Sequence, residues 1–324
     1  MTKLIIQIPC YNEEQTLSLT LNQLPKKIDK ISEIQTLVID DGSKDNTVKV
    51  AEQNGVDHIV ILPKHSGLAT AFMAGIDHAL AAGADIIVNT DADNQYNADD
   101  ICKLLDPLFD GSADIVVGSR PIEKIEHFSL AKKALQRLGS WVVRWASGTN
   151  IPDAPSGFRA ISREAALRLN VFNNHTYTLE TLIQAGHKGM SVSSVPIRVN
   201  DNLRPSRLIS SNTAYILHSI TTIVRIFMLY SPLRFFSLLG SIPVFFGIFL
   251  GVRWMVNVFM FAEPGRTYIP SLILVAILLL TGIQIWVLGL VADLMAANRS
   301  ILEEIRLRTR RIDLAKKNEN KTNP

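Results

Sequence analysis

The chain has 324 residues, 47% of them hydrophobic and 19% charged, with a formal net charge of +3. This length fits one core of about 200 residues plus an appendage. Residues 1–203 carry 19 Lys and Arg against 24 Asp and Glu, whereas residues 299–321 carry eight against four. The acidic balance of the first region excludes a basic nucleic-acid footprint, and no nucleic-acid partner is expected. The basic excess lies beside apolar segments, where it suits anionic lipid headgroups.

Short apolar stretches alternate with helical ones through the first region. The strand candidates are nearly continuous in Ile, Val and Leu, as strands buried on both faces of a parallel sheet are. They are Leu4–Pro9, Thr36–Ile39, His58–Leu62, Asp85–Thr90 and Asp114–Gly118, and the helices between them are Glu13–Lys30, Asn46–Asn54, Leu68–Ala82 and Ala98–Phe109. The alternation predicts a doubly wound α/β domain with a mostly parallel sheet, which binds ligands beyond the carboxyl ends of its strands.

Carboxylates follow the first two strands at this edge. Glu13 and Glu14 come after the first strand, and Asp40 and Asp41 end the second. Such groups can accept a hydrogen bond from a ribose hydroxyl or a base N–H, although each cluster alone is also an ordinary turn or helix cap. Gly67, between the third strand and its helix, offers a helix N-terminus to an anion, and a plain connecting loop fits the same residues.

The fourth strand is followed by Asp91, Asp93 and Gln95. In extended chain, residues two apart point the same way, so three oxygen-bearing side chains converge. Oxygen ligands suit a hard cation, Mg²⁺ or Mn²⁺, which fills its other positions with water and phosphate oxygens. The pattern therefore predicts a divalent metal site.

Two later segments have membrane character. Phe235–Val252 has 18 residues and Tyr268–Ala292 has 25, all without a charge. They predict a transmembrane hairpin, with buried helices of a soluble protein as the alternative. Basic residues flank both outer ends, which the positive-inside rule puts in the cytoplasm. Gly247 and Gly251 form a pair that suits close helix packing, and packing between subunits would give a homo-oligomer.

The segment Ser206–Tyr230 has apolar residues at helical spacing. It predicts an amphipathic juxtamembrane helix in the membrane surface, or a helix packed on the globular domain. The predicted domains are residues 1–203, a juxtamembrane region 204–234, two transmembrane helices over 235–292 and a basic cytoplasmic tail 293–324. Because the N-terminal apolar run is too short for a signal peptide, we expect the first domain on the cytoplasmic side of the inner membrane. Cys10 and Cys102, outside any paired motif, predict two buried free thiols.

Together these motifs resemble glycosyltransferase family 2. The residues that carry the resemblance, in order, are Tyr11-Asn12-Glu13-Glu14, Asp40-Asp41-Gly42-Ser43, the helix from Gly67 to Gly75, Asp91-Ala92-Asp93-Asn94-Gln95 and Gly118-Ser119-Arg120. The chain is similar to the polyprenyl-phosphate branch, which includes dolichyl-phosphate mannose synthases and bactoprenol glucosyltransferases. The motifs cover roughly Leu4 to Arg207 and leave the sugar undetermined.

The resemblance implies a GT-A fold and an inverting reaction. The nucleotide would be held by Pro9, Tyr11, Glu13 and Asp41, with Asp40 and Gly67 beside them. Asp91, Asp93 and Gln95 would hold the metal on the donor diphosphate. Arg120 would face the phosphates, and Asp153 sits at the position of a catalytic-site carboxylate, with a structural turn before Pro155 as the alternative. Ser206 and Arg207 would meet the acceptor phosphate, and Lys132 is a further candidate for the same anion.

The predicted activity is transfer of a sugar, from a UDP-sugar by preference, to polyprenyl phosphate. A phosphate monoester has its second pKa near about 6, so it is an anion at neutral pH and needs no strong base. We therefore expect Asp153 to orient a sugar hydroxyl or a basic residue. The alternatives are transfer to a diacylglycerol or ceramide hydroxyl, which would need Asp153 as a base, a processive polysaccharide synthase, and a non-catalytic nucleotide-sugar-binding scaffold.

Overall fold

The computed structural model describes residues 2–121, 140, 141, 144, 147–171, 177–200, 221, 224, 225, 227–260 and 269–322. The chain divides into two compact units. The first, the sheet unit, comprises Met1–Ser219 and Ile305–Pro324, and the second, the helical unit, comprises Ile220–Glu304.

Seven strands of the described residues form one mixed sheet in the sheet unit, in the order β3-β2-β1-β4-β6-β5-β7. They are β1 Lys3–Cys10, β2 Glu33–Asp40, β3 His58–Ile61, β4 Ile86–Asn89, β5 Ile115–Ser119, β6 Arg159–Ser162 and β7 Val192–Pro196. Strand β6 runs antiparallel to β4 and β5, and the other pairings are parallel. The predicted mostly parallel α/β sheet is confirmed.

Helices cover both faces of this sheet. They are α1 Leu17–Gln23, α2 Thr47–Gln53, α3 Leu68–Ala81, α4 Ile101–Phe109, α5 Arg163–Arg168 and α6 Thr178–His187. Successive residues Leu4, Ile5 and Ile6 of β1 are all fully buried, which requires cover on both sides. Helix α3 packs against β1 and β2. Leu17 and Leu104 lie in the core on the other face.

Helix α1 is shorter than predicted. It ends at Gln23, and Leu24 already has extended backbone, with ψ of 138°. Pro25 follows, and a proline disfavours the helical conformation of the residue before it. The prediction of a helix up to Lys30 was therefore wrong.

The helical unit contains two long helices, α7 Pro232–Met260 and most of α8 Ile269–Thr322. Both are long and apolar enough to cross a membrane. Glycines let the two helices approach closely: a Cβ at Gly282 would overlap Val244 Cγ2, and one at Gly240 would lie 2.5 Å from Trp286 Cδ1. The predicted Gly247 also lies at this contact, whereas Gly251 has only an ordinary 3.5 Å contact available.

The last turns of α8 return to the sheet unit. There Arg310 pairs with Asp77 of α3, and Arg311 Nη2 donates to Glu164 Oε2 at 2.7 Å. These two arginines of the basic tail are thus bound to carboxylates of the protein. Of the two cysteines, Cys10 is buried and Cys102 is exposed, so the expectation of two buried thiols was wrong for Cys102.

Candidate active site

Several of the predicted site residues lie at one edge of the sheet, where β1, β2 and β4 end. Cys10 at the end of β1 is in register with Asp40 at the end of β2, and Gln7 of β1 is in register with Asn89, the last residue of β4. Arg159, the first residue of the antiparallel β6, pairs with Asn89. The segments after β1, β2 and β4 and the segment before β6 therefore emerge together. Strand register, set by the apolar pattern, brings residues far apart in sequence to one place.

In the part of this edge that is predicted to hold the nucleotide, Asp41 binds a loop of the protein itself. Its Oδ1 accepts the Ser66 N–H at 2.8 Å, and its Oδ2 accepts the Gly67 N–H at 2.9 Å. His65 Nδ1 lies 2.8 Å from the same Oδ2. The predicted residues Asp41 and Gly67 are thus brought together, because the carboxylate fixes the loop that leads into α3.

His65 is a site residue that sequence reasoning read only as part of a loop. Its ring stacks on Tyr11, with 3.9 Å between centroids. Tyr11 is 36% exposed, so this aromatic pair is accessible to a planar ligand. A histidine in a connecting loop carries no signal of its own. Its role depends on Asp41 and Tyr11, which precede it by more than twenty residues.

The turns after β1 and β2 interlock. Asn12 N–H donates to Ser43 Oγ, and Lys44 N–H donates to Asn12 Oδ1, both at 2.8 Å. Asn12 has a φ of 55°, a conformation that asparagine tolerates better than most residues. The predicted residue Glu13 is held here too, since its N–H donates to Thr47 Oγ1 at 2.8 Å.

Asp40 and Pro9 of the predicted nucleotide site are buried, as is Asp41. Asp40 is 2% exposed, and its Oδ2 accepts the Ser43 N–H at 3.1 Å. Its Oδ1 is buried without a hydrogen-bond partner among the described residues. Pro9 is buried inside β1, in register with Ile39. Pro9 therefore belongs to the wall of the site and Asp40 offers one acceptor atom.

The predicted metal ligands lie on one side of the chain after β4. Asp91, Asp93 and Gln95 are partly exposed, and the residues between them are buried. The backbone is a turn rather than the extended chain that the prediction assumed, since Asn94 has a φ of 57°. Gln95 N–H donates to Asp93 Oδ1 at 3.1 Å.

Electrostatics around Asp91 favour a cation. Burial and the neighbouring Asp93 charge raise the pKa of Asp91 to about 7, and the Arg120 charge and a Tyr96 hydrogen bond oppose this. Two carboxylates that repel each other, with an amide beside them, fit a hard divalent cation, whose charge would favour the ionised form. No group of three or more His, Cys, Asp or Glu side chains suited to a metal occurs in the described part of the chain, and the third predicted ligand is the Gln95 side chain.

Arg120 and Asp153 form a buried ion pair at the other side of the edge. Arg120 Nε donates to Asp153 Oδ2 at 2.7 Å, and Nη2 donates to Oδ1 at 3.0 Å. The backbone N–H of Arg120 also donates to Oδ2, at 3.1 Å. Asp153 is fully buried. The bidentate pair occupies both carboxylate oxygens. Burial alone would lower the pKa of Arg120, but Tyr96, Asp153 and Asp91 together raise it above its ordinary value. This geometry favours an orienting role for Asp153 over that of a base.

Three further residues help to build the site and were not predicted: Asn89, Tyr96 and Tyr177. Asn89 Nδ2 donates to the Gly157 carbonyl at 2.9 Å and to the Tyr177 hydroxyl at 2.8 Å. The signal in the sequence was a polar residue at the end of the apolar strand β4. Glu180 of α6 is also buried, with 3% of its surface exposed. Lys132, Ser206, Arg207 and most of the predicted juxtamembrane helix lie outside the described residues.

Comparison with known proteins places the chain in a family. The sequence profile of Glycosyl transferase family 2 matches residues 5–169. The chain belongs to glycosyl transferase family 2. The predicted resemblance is confirmed, and with it the prediction of a glycosyltransferase.

Curated relatives align with about 60% of the chain. Polyprenol monophosphomannose synthase of Mycolicibacterium smegmatis is 27% identical in an alignment of 220 residues that covers 64% of this chain and 82% of the relative. UDP-N-acetylglucosamine–dolichyl-phosphate N-acetylglucosaminyltransferase of Methanococcus voltae is 32% identical in an alignment of 213 residues that covers 59% of this chain and 83% of the relative. The names of both relatives point to lipid phosphates of the polyprenyl type.

A solved structure supports the GT-A-like fold. Glucosyl-3-phosphoglycerate synthase from Mycobacterium tuberculosis, in complex with Mn²⁺, uridine diphosphate and phosphoglyceric acid, aligns with a TM-score of 0.54 and 18% identity. The alignment covers 68% of this chain and 78% of the other. At this identity the likeness concerns the fold alone, and it confirms the predicted α/β architecture.

Proposed function

We propose that this protein transfers a sugar from a nucleotide-diphosphate sugar to polyprenyl phosphate, with inversion, at the cytoplasmic face of the membrane. The proposal rests on one observation. A pair of carboxylates, Asp91 and Asp93, lies at the same edge of the sheet as the buried ion pair of Arg120 and Asp153. In a family 2 chain whose relatives act on lipid phosphates, this edge supplies groups for both reacting anions.

The donor side would use the carboxylates. Asp91, Asp93 and the Gln95 amide would hold Mg²⁺ or Mn²⁺, which lowers the basicity of the nucleoside diphosphate leaving group when it is bound. The solved relative that binds Mn²⁺ together with uridine diphosphate supports this choice of ion. Tyr11 and His65 would receive the nucleoside, and a UDP-sugar is favoured.

The acceptor side would use positive charge. A lipid phosphate is already anionic at neutral pH, so its oxygen attacks the anomeric carbon without a base. Arg120, held rigidly by Asp153, would offset repulsion between the acceptor phosphate and the donor diphosphate. Lys132, Ser206 and Arg207 are proposed to meet the same phosphate. A diacylglycerol or ceramide acceptor fits less well, because both oxygens of Asp153 are occupied by the guanidinium.

A partition assay tests the proposal. Detergent-purified protein would receive Mn²⁺, undecaprenyl phosphate and radiolabelled UDP-glucose, UDP-N-acetylglucosamine or GDP-mannose in turn. We expect label in the organic phase from one donor, and its loss with a chelator. Label that enters diacylglycerol or ceramide but never the lipid phosphate would contradict the proposed acceptor. Release of free sugar alone would contradict transfer itself.

We also propose that α7 and α8 cross the inner membrane with both outer ends in the cytoplasm. Helix α7 has 29 residues, about 43 Å at 1.5 Å per residue, which exceeds the about 30 Å of a bilayer core. In intact cells, a membrane-impermeant maleimide should label Met260→Cys at the end of α7. The exposed native Cys102 should react only after permeabilisation. The reverse pattern would contradict the orientation.

A further inference from the structure

Arg159 is a charged side chain inside the core of the sheet unit. It is 1% exposed. Its Nε donates to the Ser156 carbonyl at 2.8 Å, its Nη2 to the Ala154 carbonyl at 2.7 Å and its Nη1 to Thr181 Oγ1 at 2.6 Å. All three acceptors are neutral. Burial lowers the pKa of Arg159 to about 10, so the guanidinium stays charged at neutral pH.

A buried charge of this kind is poorly explained by stability alone. An apolar side chain of similar volume would fill the core without desolvating a cation. What an apolar side chain cannot do is hold several carbonyl groups at fixed angles, which the planar fork of a guanidinium does. The two carbonyls that Arg159 holds belong to one loop, so its contacts define the shape of that loop.

This loop runs from Asp153 to Gly157, and its two ends contact different residues of the site. At the first end, Asp153 binds Arg120. At the other end, the Gly157 N–H donates to the Tyr96 hydroxyl at 3.1 Å. A Cβ at Gly157 would lie 3.0 Å from Asp91 Oδ1, so the loop backbone packs directly on that carboxylate. A displacement of the loop would therefore move both Arg120 and Asp91.

We propose that Arg159 is a positioning residue that sets the donor-side carboxylate and the acceptor-side guanidinium relative to each other. Arg159 is the first residue of β6, which pairs with β4 and β5. Its backbone is therefore held in the sheet, and its guanidinium binds the loop. The role rests on the proposed function only for the identity of the ligands at Asp91 and Arg120. Arg159 itself touches neither reactant.

The test uses the full chain in detergent and measures Mn²⁺ affinity by electron paramagnetic resonance of the free ion, alongside the melting temperature. Arg159→Lys keeps the charge but replaces the fork by a single ammonium. We expect the Mn²⁺ Kd to rise about 10-fold or more, as is typical when a residue behind a metal ligand is changed. Donor kcat should fall with it, and Arg159→Lys should lose more in kcat than in donor KM.

Arg163→Lys is the matched control. Arg163 also donates to a backbone carbonyl, that of Ala84 at 2.7 Å, but it lies at the far end of β6 from the site. Its Mn²⁺ Kd should stay within about twofold of wild type, because its bonds leave the loop untouched. A lower melting temperature in both variants with unchanged Mn²⁺ affinity in both would show that Arg159 is structural only, and would overturn the proposal.

Gly157→Ala tests the same loop if Arg159→Lys fails to fold. Its added methyl group would press on Asp91 while every charge is kept, and we expect weaker Mn²⁺ binding. Unchanged Mn²⁺ affinity in Gly157→Ala would show that the loop does not control Asp91. Wild-type protein that binds no Mn²⁺ would contradict the proposed metal site itself, whereas normal wild-type binding with no change in the variants would contradict only the role of Arg159.

Discussion

Different kinds of contact stabilise the interior of the sheet unit and the interior of the helical unit. At the site edge of the sheet, directional bonds join residues distant in sequence, as between Arg120 and Asp153. Between α7 and α8, glycines let side chains pack closely, and Trp286 Nε1 donates to the Ser237 carbonyl at 3.1 Å. We therefore expect the effect of a substitution to depend on individual polar atoms at the site edge of the sheet unit, and mainly on side-chain volume between α7 and α8.

The largest effect is expected from a substitution that replaces one oxygen by nitrogen at the proposed metal site. Asp93→Asn should lower kcat/KM at least about 100-fold, because a neutral amide removes charge that the cation needs. Sugar transfer to lipid phosphate at saturating Mn²⁺ would measure it. Asp106→Asn, on the exposed side of α4, is the control and should leave transfer unchanged. Activity of Asp93→Asn within tenfold of wild type would argue against the site.

The second prediction concerns the buried ion pair. Asp153→Asn should reduce the free energy of unfolding by about 3 kcal/mol, because Arg120, whose side chain is 12% exposed, keeps its charge but loses the carboxylate that binds it in a bidentate pair. Denaturant titration would measure the change. Glu164→Gln, which breaks the exposed pair with Arg311, should cost less than about 1 kcal/mol. Equal effects of the two substitutions would remove the distinction between buried and exposed pairs.

The third prediction exploits the raised pKa of Asp91. A folded pKa of about 7, above the ordinary 3.8, means that the wild type loses stability as pH rises through 7. Without metal at pH 8, Asp91→Asn should therefore be more stable than wild type by about 1–3 kcal/mol. The difference should shrink towards pH 4, where wild-type Asp91 is protonated. Thermal unfolding at both pH values measures this, and a difference that does not vary with pH would contradict it.

The helical unit supplies the smallest expected effect. Gly282→Ala should lower stability by about 1–3 kcal/mol, because its methyl group would overlap Val244 and the Gly240 carbonyl. Gly251→Ala makes the same change at a position with 3.5 Å of room, and we expect no loss there. Melting temperatures in detergent compare the two. If both variants melt alike, glycine packing does not hold the two helices together.

The sequence predicted the central strands well, because β1 to β5 are short, apolar and bounded by polar residues. It did not predict β6 or β7. Strand β6 begins with Arg159, a charge that breaks the apolar pattern, and its burial is intelligible only from carbonyls brought to it by the fold. Strand β7 lies at the end of the sheet, with polar residues in a partly exposed pattern, so its signal is weak.

The candidate site was predictable as a set of residues but not as a set of bonds. The strand ends identified Asp41, Asp91 and Asp93 from the sequence. The sequence allowed Asp153 to orient a basic residue, but it did not identify that residue as Arg120, because 33 residues separate the two and a carboxylate before a proline is also an ordinary turn. The roles of Lys132, Ser206 and Arg207 stay predictions, as does the division of the chain at residues 203, 234 and 292.

The interlocked turns around Asp41 have a consequence for how the donor binds. The amide hydrogens of Asn12, Lys44, Ser66 and Gly67 are already bonded within the protein. Their exchange with deuterated solvent should be slow before any nucleotide is added. Because these turns are already ordered, they lose little conformational entropy when a nucleotide binds. Less of the favourable binding free energy is therefore offset by ordering of the chain.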